Sequence, residues 1–325
     1  MTSDAVTTSD GAPAFDIAEP EESLGTRLWE NVKGGNLGSL PVIIGLTVIV
    51  ILFGFTAQNF FTAVNFNNII VQMAGTTMLA FGVVFVLLLG EIDLSIAYLS
   101  GFVGVLCAEL QQPDSGHFVG GIWPIVLALA VGVGIGAFQG SFVALIGVPS
   151  FVVTLAGLLA WQGFIQRTLG AGGPIIIQNR WVNYTASYFF SETAGWIIWG
   201  LVSAVYVGSI VWNVLSKRRH GVAIRYPWLL VAKAVALPLC AAVFVSICNH
   251  DRGVPLAGII MLFFLVFWTY VAKRTTFGRH IYAVGGNAEA ARRAGISVAR
   301  IRILVFMISS AMAAIGGIIL AANVN

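Results

Sequence analysis

Charge is scarce in this sequence. Asp, Glu, Lys and Arg make up 10% of its 325 residues against 58% hydrophobic ones, and the mean hydropathy is +0.90. Soluble domains carry about 25% charged residues, so water is not the main solvent of this chain. Cysteine is rare too. Cys107, Cys240 and Cys248 are the three present; all lie in or beside apolar runs, and no CxxC or Cys/His cluster offers ligands to a metal. The four histidines, His117, His220, His250 and His280, stand far apart in sequence, which argues against a metal site or a nucleophile/His/acid triad. No stretch reads GxxxxGK[ST], so the chain is expected to bind no ATP itself and to have no cofactor of its own. Strict apolar/polar alternation is also missing, which excludes a β-barrel.

What the sequence has instead is apolar runs. A hydrocarbon core of about 30 Å needs roughly 20 apolar residues per helix. Runs of that kind lie at 40–57, 69–89, 96–110, 122–146, 151–168, 196–215, 229–248, 256–271 and 303–322. The fold class is therefore all-α, a polytopic transmembrane helical bundle of about nine spans. The runs at 96–110 and 256–271 are short enough to be tilted, broken or only partly spanning. Pro41, Pro124 and Pro255 stand near span starts, where a missing N–H costs little, whereas Pro238 lies inside a run and predicts a kink.

Residues 1–35 read as a cytoplasmic tail and 36–325 as the transmembrane domain. The start of the tail, rich in Thr, Ser, Asp and Ala, has too little apolar surface to order itself. Leu24, Leu28, Trp29 and Val32 then recur at helical spacing, which suits either a helix lying on the membrane surface or more tail. No basic region precedes a short apolar stretch, so no cleavable signal peptide is expected, and Leu40 begins a retained span.

The net charge of +3 comes from short loops, where basic residues report orientation and not a nucleic-acid partner. With a cytoplasmic N-terminus, alternate loops put inside all of the 17 Lys and Arg residues except Arg167, Arg180 and Arg252. Such a bias is the positive-inside pattern of a multi-pass protein. Trp123, Trp196, Trp199, Trp212, Trp228 and Trp268 stand near span ends, as an interfacial aromatic belt requires.

Several residues within the apolar region could carry function. Glu91 and Asp93 interrupt it in Gly90-Glu91-Ile92-Asp93-Leu94-Ser95. Two residues apart, they would face different sides of a helix and so do not form an acid/base pair. Asp93 either caps the helix that follows or serves a substrate path or gate, and Glu91 is open to the path role. Gln72, Gln139 and Gln162 place amides within spans, for interhelical hydrogen bonds or for a path that takes a neutral sugar. Gly132, Gly136 and Gly140 line one helix face, for tight packing or a substrate groove. Finally, residues 285–296 read as a turn at Gly285-Gly286-Asn287, a short Ala-rich helix from Glu289, and a stop at Gly295. That helix is too polar for the bilayer and suits docking into another protein; its Arg292 and Arg293 also suit anionic headgroups.

Glu289-Ala290-Ala291 with Gly295 four residues beyond resembles the EAA loop through which permeases of ABC importers engage their ATPase. The wider string from Thr275 to Ile296 is similar to the ribose/xylose permease family. Gly90 to Ser95 resembles that family's GGIDLS segment, and Val148 to Gly157 another of its signatures. The basic loop from Lys217 to Arg225 and the span after it look most like xylose permeases. Glu91 stands where the family has a second glycine, so the turn there is expected to differ, and the resemblance leads us to expect that the chain is C-terminally short of the family.

The resemblance implies a permease subunit of an ATP-binding-cassette importer for a monosaccharide, xylose or a related sugar, in the bacterial inner membrane. It is not an enzyme. The implied substrate path or gate is Gln72, Glu91, Asp93, Gln139 and Gln162, and the ATPase-coupling loop is Gly285, Gly286, Asn287, Glu289, Ala290, Ala291, Arg292, Arg293 and Gly295. The implied partners are an ABC ATPase that supplies ATP, an external sugar-binding protein, a second permease copy as homodimer, and membrane lipid. An ion-coupled secondary transporter is the alternative; it would need a membrane ion site, for which Glu91 and Asp93 are the candidates.

Overall fold

The computed structural model describes residues 40–170, 173–220 and 227–324. The expected tail with its candidate surface helix, and Arg225, lie outside the described residues. The described residues form two units that part between Phe60 and Phe61. The first is helix α1, Leu40–Thr56, which carries no charge and is apolar all round, as a helix surrounded by hydrocarbon is. Just past it, Phe60 stacks on Phe53 with centroids 6.0 Å apart.

The second unit begins with α2 (Ala63–Leu88), α3 (Ile96–Leu110), α4 (Trp123–Ser141) and α5 (Ser150–Leu169). A short amphipathic helix, α6 (Arg180–Ser187), precedes α7 (Glu192–Arg219), α8 (Pro227–Asn249) and α9 (Leu256–Arg274). Then come α10 (Thr276–Gly286), α11 (Ala288–Arg293) and α12 (Val298–Asn323). One two-residue antiparallel pair, β1 (Phe189–Phe190) with β2 (Val254–Pro255), ties α6 to α9.

The all-α bundle is as expected, but its helices are of unequal strength as spans. Among the described residues six are long and apolar enough to cross a membrane: α2, α4 with the π turn Phe142–Ile146, α7, α8, α9 and α12. Among the rest, α1 and α3 are apolar but have 17 and 15 residues, and α5 has 20 but carries Gln162, Gln166 and Arg167. Helix α8 runs on through Pro238 without ending.

Helix α12 is the centre of the unit, packed against α2, α3 and α4. Its sequence explains why. Ser309, Ser310, Ala313, Ala314, Gly316 and Gly317 are buried small residues that let three neighbouring backbones come close. The glycine stripe of α4 faces the same helix. A methyl at Gly136 would meet Ser310 Oγ at 2.7 Å and Met307 Cα at 2.8 Å, and one at Gly132 would meet Ala314 Cβ at 2.8 Å. The stripe is therefore a packing surface and not a groove. Helices α7 and α8 pair with each other at the periphery and bury few residues, which leaves their apolar surface outward.

The polar connections gather at two opposite ends of this unit. At one end Arg252 reaches Asn68, and Gln111 and Gln112 reach Ile176. The segment between α2 and α3, the start of α5, and α10 with α11 gather at the other.

Candidate functional site

The junction between α2 and α3 is the centre of the site. Helix α2 ends on Gly90, whose φ is +75°, with Gly90 N–H on Leu87 O and Glu91 N–H on Val86 O, at 2.9 and 3.2 Å. This is a Schellman stop, and glycine takes the left-handed position without a Cβ penalty. Outside glycine, Asn59 is the one described residue with positive φ. Glu91 thus occupies its place without backbone strain, and the turn closes with Gly90 alone.

Helices α5 and α12 hold the junction. Ser150 Oγ accepts the Ile92 N–H at 3.1 Å and Thr154 Oγ1 lies 3.3 Å from Ile92 O, both from α5. Asp93 Oδ1 accepts from Ser95 N–H at 2.9 Å and Ser95 Oγ at 2.7 Å, and Asp93 Oδ2 from Ser309 Oγ of α12 at 3.0 Å. The carboxylate therefore braces the residue just before α3, and it does so with three donors and no cation, which satisfies its oxygens in place of water.

Gln139 of α4, 2% exposed, extends this network. Its Oε1 lies 3.3 Å from Ser95 Oγ, but that hydroxyl has one proton and the carboxylate at 2.7 Å is the stronger acceptor. In this orientation both Gln139 Nε2 and Trp161 Nε1 are buried without partners. The two nitrogens border the same notch over Gly157. Turning the amide by 180°, which its shape permits, lets the NH2 donate to Ser95 and presents the carbonyl to the indole N–H. We assign that orientation, which continues the Asp93 network through Ser95 to Gln139, with the Trp161 indole beside it.

Glu91 also meets α12, its Oε1 3.0 Å from Arg302 Nε near the start of that helix. The side chains are 14% and 29% exposed. The Nε–H is not aligned on an acceptor, so charge proximity and not an oriented hydrogen bond holds the pair.

The expected coupling loop is built from two helices and not from a turn and one helix. Gly285 and Gly286 close α10 instead of forming a turn, because Ile281 and Val284 on that helix bury beside Phe85 and Val86 of α2 and Leu89 of the junction. A methyl at Gly285 would overlap Leu88 O, so α10 is seated directly on the α2 end. Asn287 caps α11, its Oδ1 accepting the Ala290 N–H at 2.9 Å. Gly295, φ +84°, ends α11 in a second Schellman stop, Ile296 N–H on Ala291 O and Gly295 N–H on Arg292 O, both 3.0 Å. Ala291 is buried, whereas Glu289, Ala290, Arg292 and Arg293 are exposed. Glu289 pairs with Arg292 at 2.9 Å and Arg293 at 3.3 Å along the open face.

Not every expected site residue joins this centre. Gln72 is exposed on α2 and Gln162 half-buried on α5, and no contact brings either to Asp93. At the opposite end of the unit a polar cluster escaped the sequence reading. Asn67, fully buried, donates to Cys248 O at 3.3 Å and Asp251 Oδ2 at 3.0 Å. Arg252 pairs with Asp251 at 3.0 Å and lies over the Phe189 ring at 4.3 Å. The Asn67 amide, then Arg252, hold the Asp251 carboxyl below its usual range. Asn67 and Asp251 are 184 residues apart, so no local pattern announces them. A cavity of about 220 Å³ near that end, lined by Gly104, Leu169, Ile175, Ile177 and Val324 among others, is apolar and contains none of the polar candidates. Among the described residues no group of His, Cys, Asp and Glu could hold a metal.

Comparison with known proteins places this geometry. The chain is 32% identical over 305 residues to the xylose transport system permease protein of Escherichia coli (strain K12), covering 91% of this chain and 75% of that one. It is 28% identical over 305 residues to the xylose transport system permease protein of Haemophilus influenzae, 90% and 78% covered. The ribose import permease protein of Escherichia coli (strain K12) is 28% identical over 283 residues, 87% and 69% covered. No solved structure matches. Residues 65–325, from α2 to the end and including both the junction and the coupling helices, match the model of one family, and the chain belongs to that family, described as the branched-chain amino acid transport system / permease component.

Proposed function

We propose that this chain is the membrane-spanning permease subunit of an ATP-driven importer for a monosaccharide, with xylose the first candidate. One observation carries the reading: α10 and α11 form a capped, two-helix unit fixed to the bundle by buried Ile281, Val284 and Ala291 and open on its charged side. A surface so held in place suits contact with a second protein, here an ABC ATPase that binds and hydrolyses ATP. An external sugar-binding protein delivers the substrate, and two permease copies enclose the path. The xylose and ribose permeases to which the chain is similar support the sugar assignment.

The cargo argument also rests on charge. The family's description names branched-chain amino acids, but a zwitterion calls for two opposite charges facing it. Glu91 and Arg302 face each other, and Asp93 is covered by hydroxyls. The remaining inventory of Gln72, Gln139 and Gln162 suits a neutral polyol. Nine crossings, with the N-terminus inside, follow if α1, α3 and α5 span as well. This places the junction and the coupling helices on the cytoplasmic face of the bacterial inner membrane, with Asp93 and Gln139 at the inner gate. The ion-coupled alternative loses support because both its carboxylate candidates have partners.

Uptake of radiolabelled xylose by the chain with its ATPase and binding protein in proteoliposomes tests the reading. ATP-dependent accumulation, competed by pentoses and not by leucine, is expected. Accumulation driven by an ion gradient without ATP would overturn it, and competition by leucine alone would replace the cargo.

A further inference from the structure

Glu91 and Arg302 make a contact that a passage for sugar does not require. Arg302 and Ser309 lie seven residues apart on α12, two turns on one face. Through them α12 grips both carboxylates of the junction, Glu91 by charge at 3.0 Å and Asp93 by a hydroxyl at 3.0 Å. The first of these grips is next to the coupling helices. Val298 and Ile301, which precede it on α12, share one buried cluster with Ile281 and Val284 of α10, Ala291 of α11 and Leu89 of the junction. Gly285 is seated against the Leu88 carbonyl with no room for a methyl. The coupling helices thus touch the junction at one point and reach it at a second through α12.

The form of the ion contact suits a moving part. A bidentate, aligned arginine pair fixes one geometry, whereas the Arg302 Nε–H is unaligned. Such a pair keeps its attraction through a displacement that would break an oriented hydrogen bond. Partial burial also makes either charge costly alone, so the two ends stay together.

We infer that Glu91 and Arg302 are positioning residues that latch the α2–α3 junction to the coupling helices, so that movement of α10 and α11 reaches the Asp93 network. The inference rests on the proposed transport reading. It makes the pair responsible for coupling hydrolysis to transport and not for assembly.

The test uses the full permease reconstituted with its ATPase and binding protein, with xylose uptake and ATP hydrolysis measured together. Because Arg302→Met would leave the more buried partner, the Glu91 carboxylate, unpaired, the variant made is Glu91→Gln, which leaves unpaired the more exposed Arg302, together with the exchange Glu91→Arg/Arg302→Glu. Glu91→Gln is expected to assemble with the ATPase at normal yield and to lower sugar moved per ATP at least fivefold; the exchange is expected to recover at least half of the lost ratio. No ATP-driven uptake by the unaltered assembly would sink the transport reading and the latch with it. Normal uptake together with an unchanged ratio in Glu91→Gln, or no recovery on exchange in a fully assembled complex, would sink the latch alone.

Discussion

Replacing Gly136 by alanine tests the central packing directly, because α4 contains its own control. A methyl at Gly136 would press on Phe306 O, Ser310 Oγ and Met307 Cα, two of them backbone atoms of α12, whereas a methyl at Gly134 would have nothing within 4 Å. Both substitutions gain the same helix preference, about 0.5–1 kcal/mol for Gly to Ala, so it cancels between them. The difference is the overpacking cost, about 1–3 kcal/mol where neighbouring atoms cannot step aside. A difference of that size corresponds to roughly 5–150-fold in population and to a loss of several degrees in melting temperature, at about 2–4 °C per kcal/mol. The assay is thermal unfolding of the purified variants in one detergent, followed by tryptophan fluorescence, with elution as a single folded species as the entry criterion. Gly134→Ala is expected to melt at or slightly above the unaltered protein and Gly136→Ala below it. Equal melting of the two, or a Gly136→Ala variant that melts normally but loses uptake, would refute packing as the role of the stripe and restore the groove.

Other perturbations follow from the same contacts. Gly295→Val places a β-branched residue at φ +84° and is expected to reduce ATPase co-purification severalfold, with Arg292→Gln/Arg293→Gln nearly without effect; the reverse pattern in vesicle binding would make α11 a headgroup-binding helix. Asp251, whose usual value is 3.8, has its carboxyl held lower in the folded state; its stabilising effect is thus present above about pH 4 and lost as pH falls through the lowered value. Acid unfolding should therefore show Asp251→Asn less stable than the unaltered protein at pH 6 and the two converging at low pH; parallel curves would contradict it. Single-cysteine labelling from outside is expected at Tyr184→Cys and His250→Cys and not at His220→Cys or Glu289→Cys, and external labelling at position 289 would end the ATPase-contact reading.

The physical basis of what the sequence determined is local and additive. The apolar runs, the scarcity of charge and the placement of Lys and Arg settle the all-α membrane class, because hydrocarbon requires each segment to satisfy its own backbone. The stop at Gly295 was also legible, since it is made within a few residues. The tertiary structure decided the rest. Gly285 and Gly286 look like a turn in sequence, yet they continue α10 because Ile281 and Val284 have α2 to bury against. Whether Gly132, Gly136 and Gly140 pack or line a groove depends on α12, more than 150 residues on. Asp93 finds Ser309 across 216 residues and Ile92 finds Ser150 across 58. Arg302 reads in sequence as one more cytoplasmic charge until the fold sets it against Glu91. A polar side chain within a span declares only that it needs a partner, because burying it alone is costly; which partner it takes, and therefore whether it braces, couples or gates, is a property of how the helices pack.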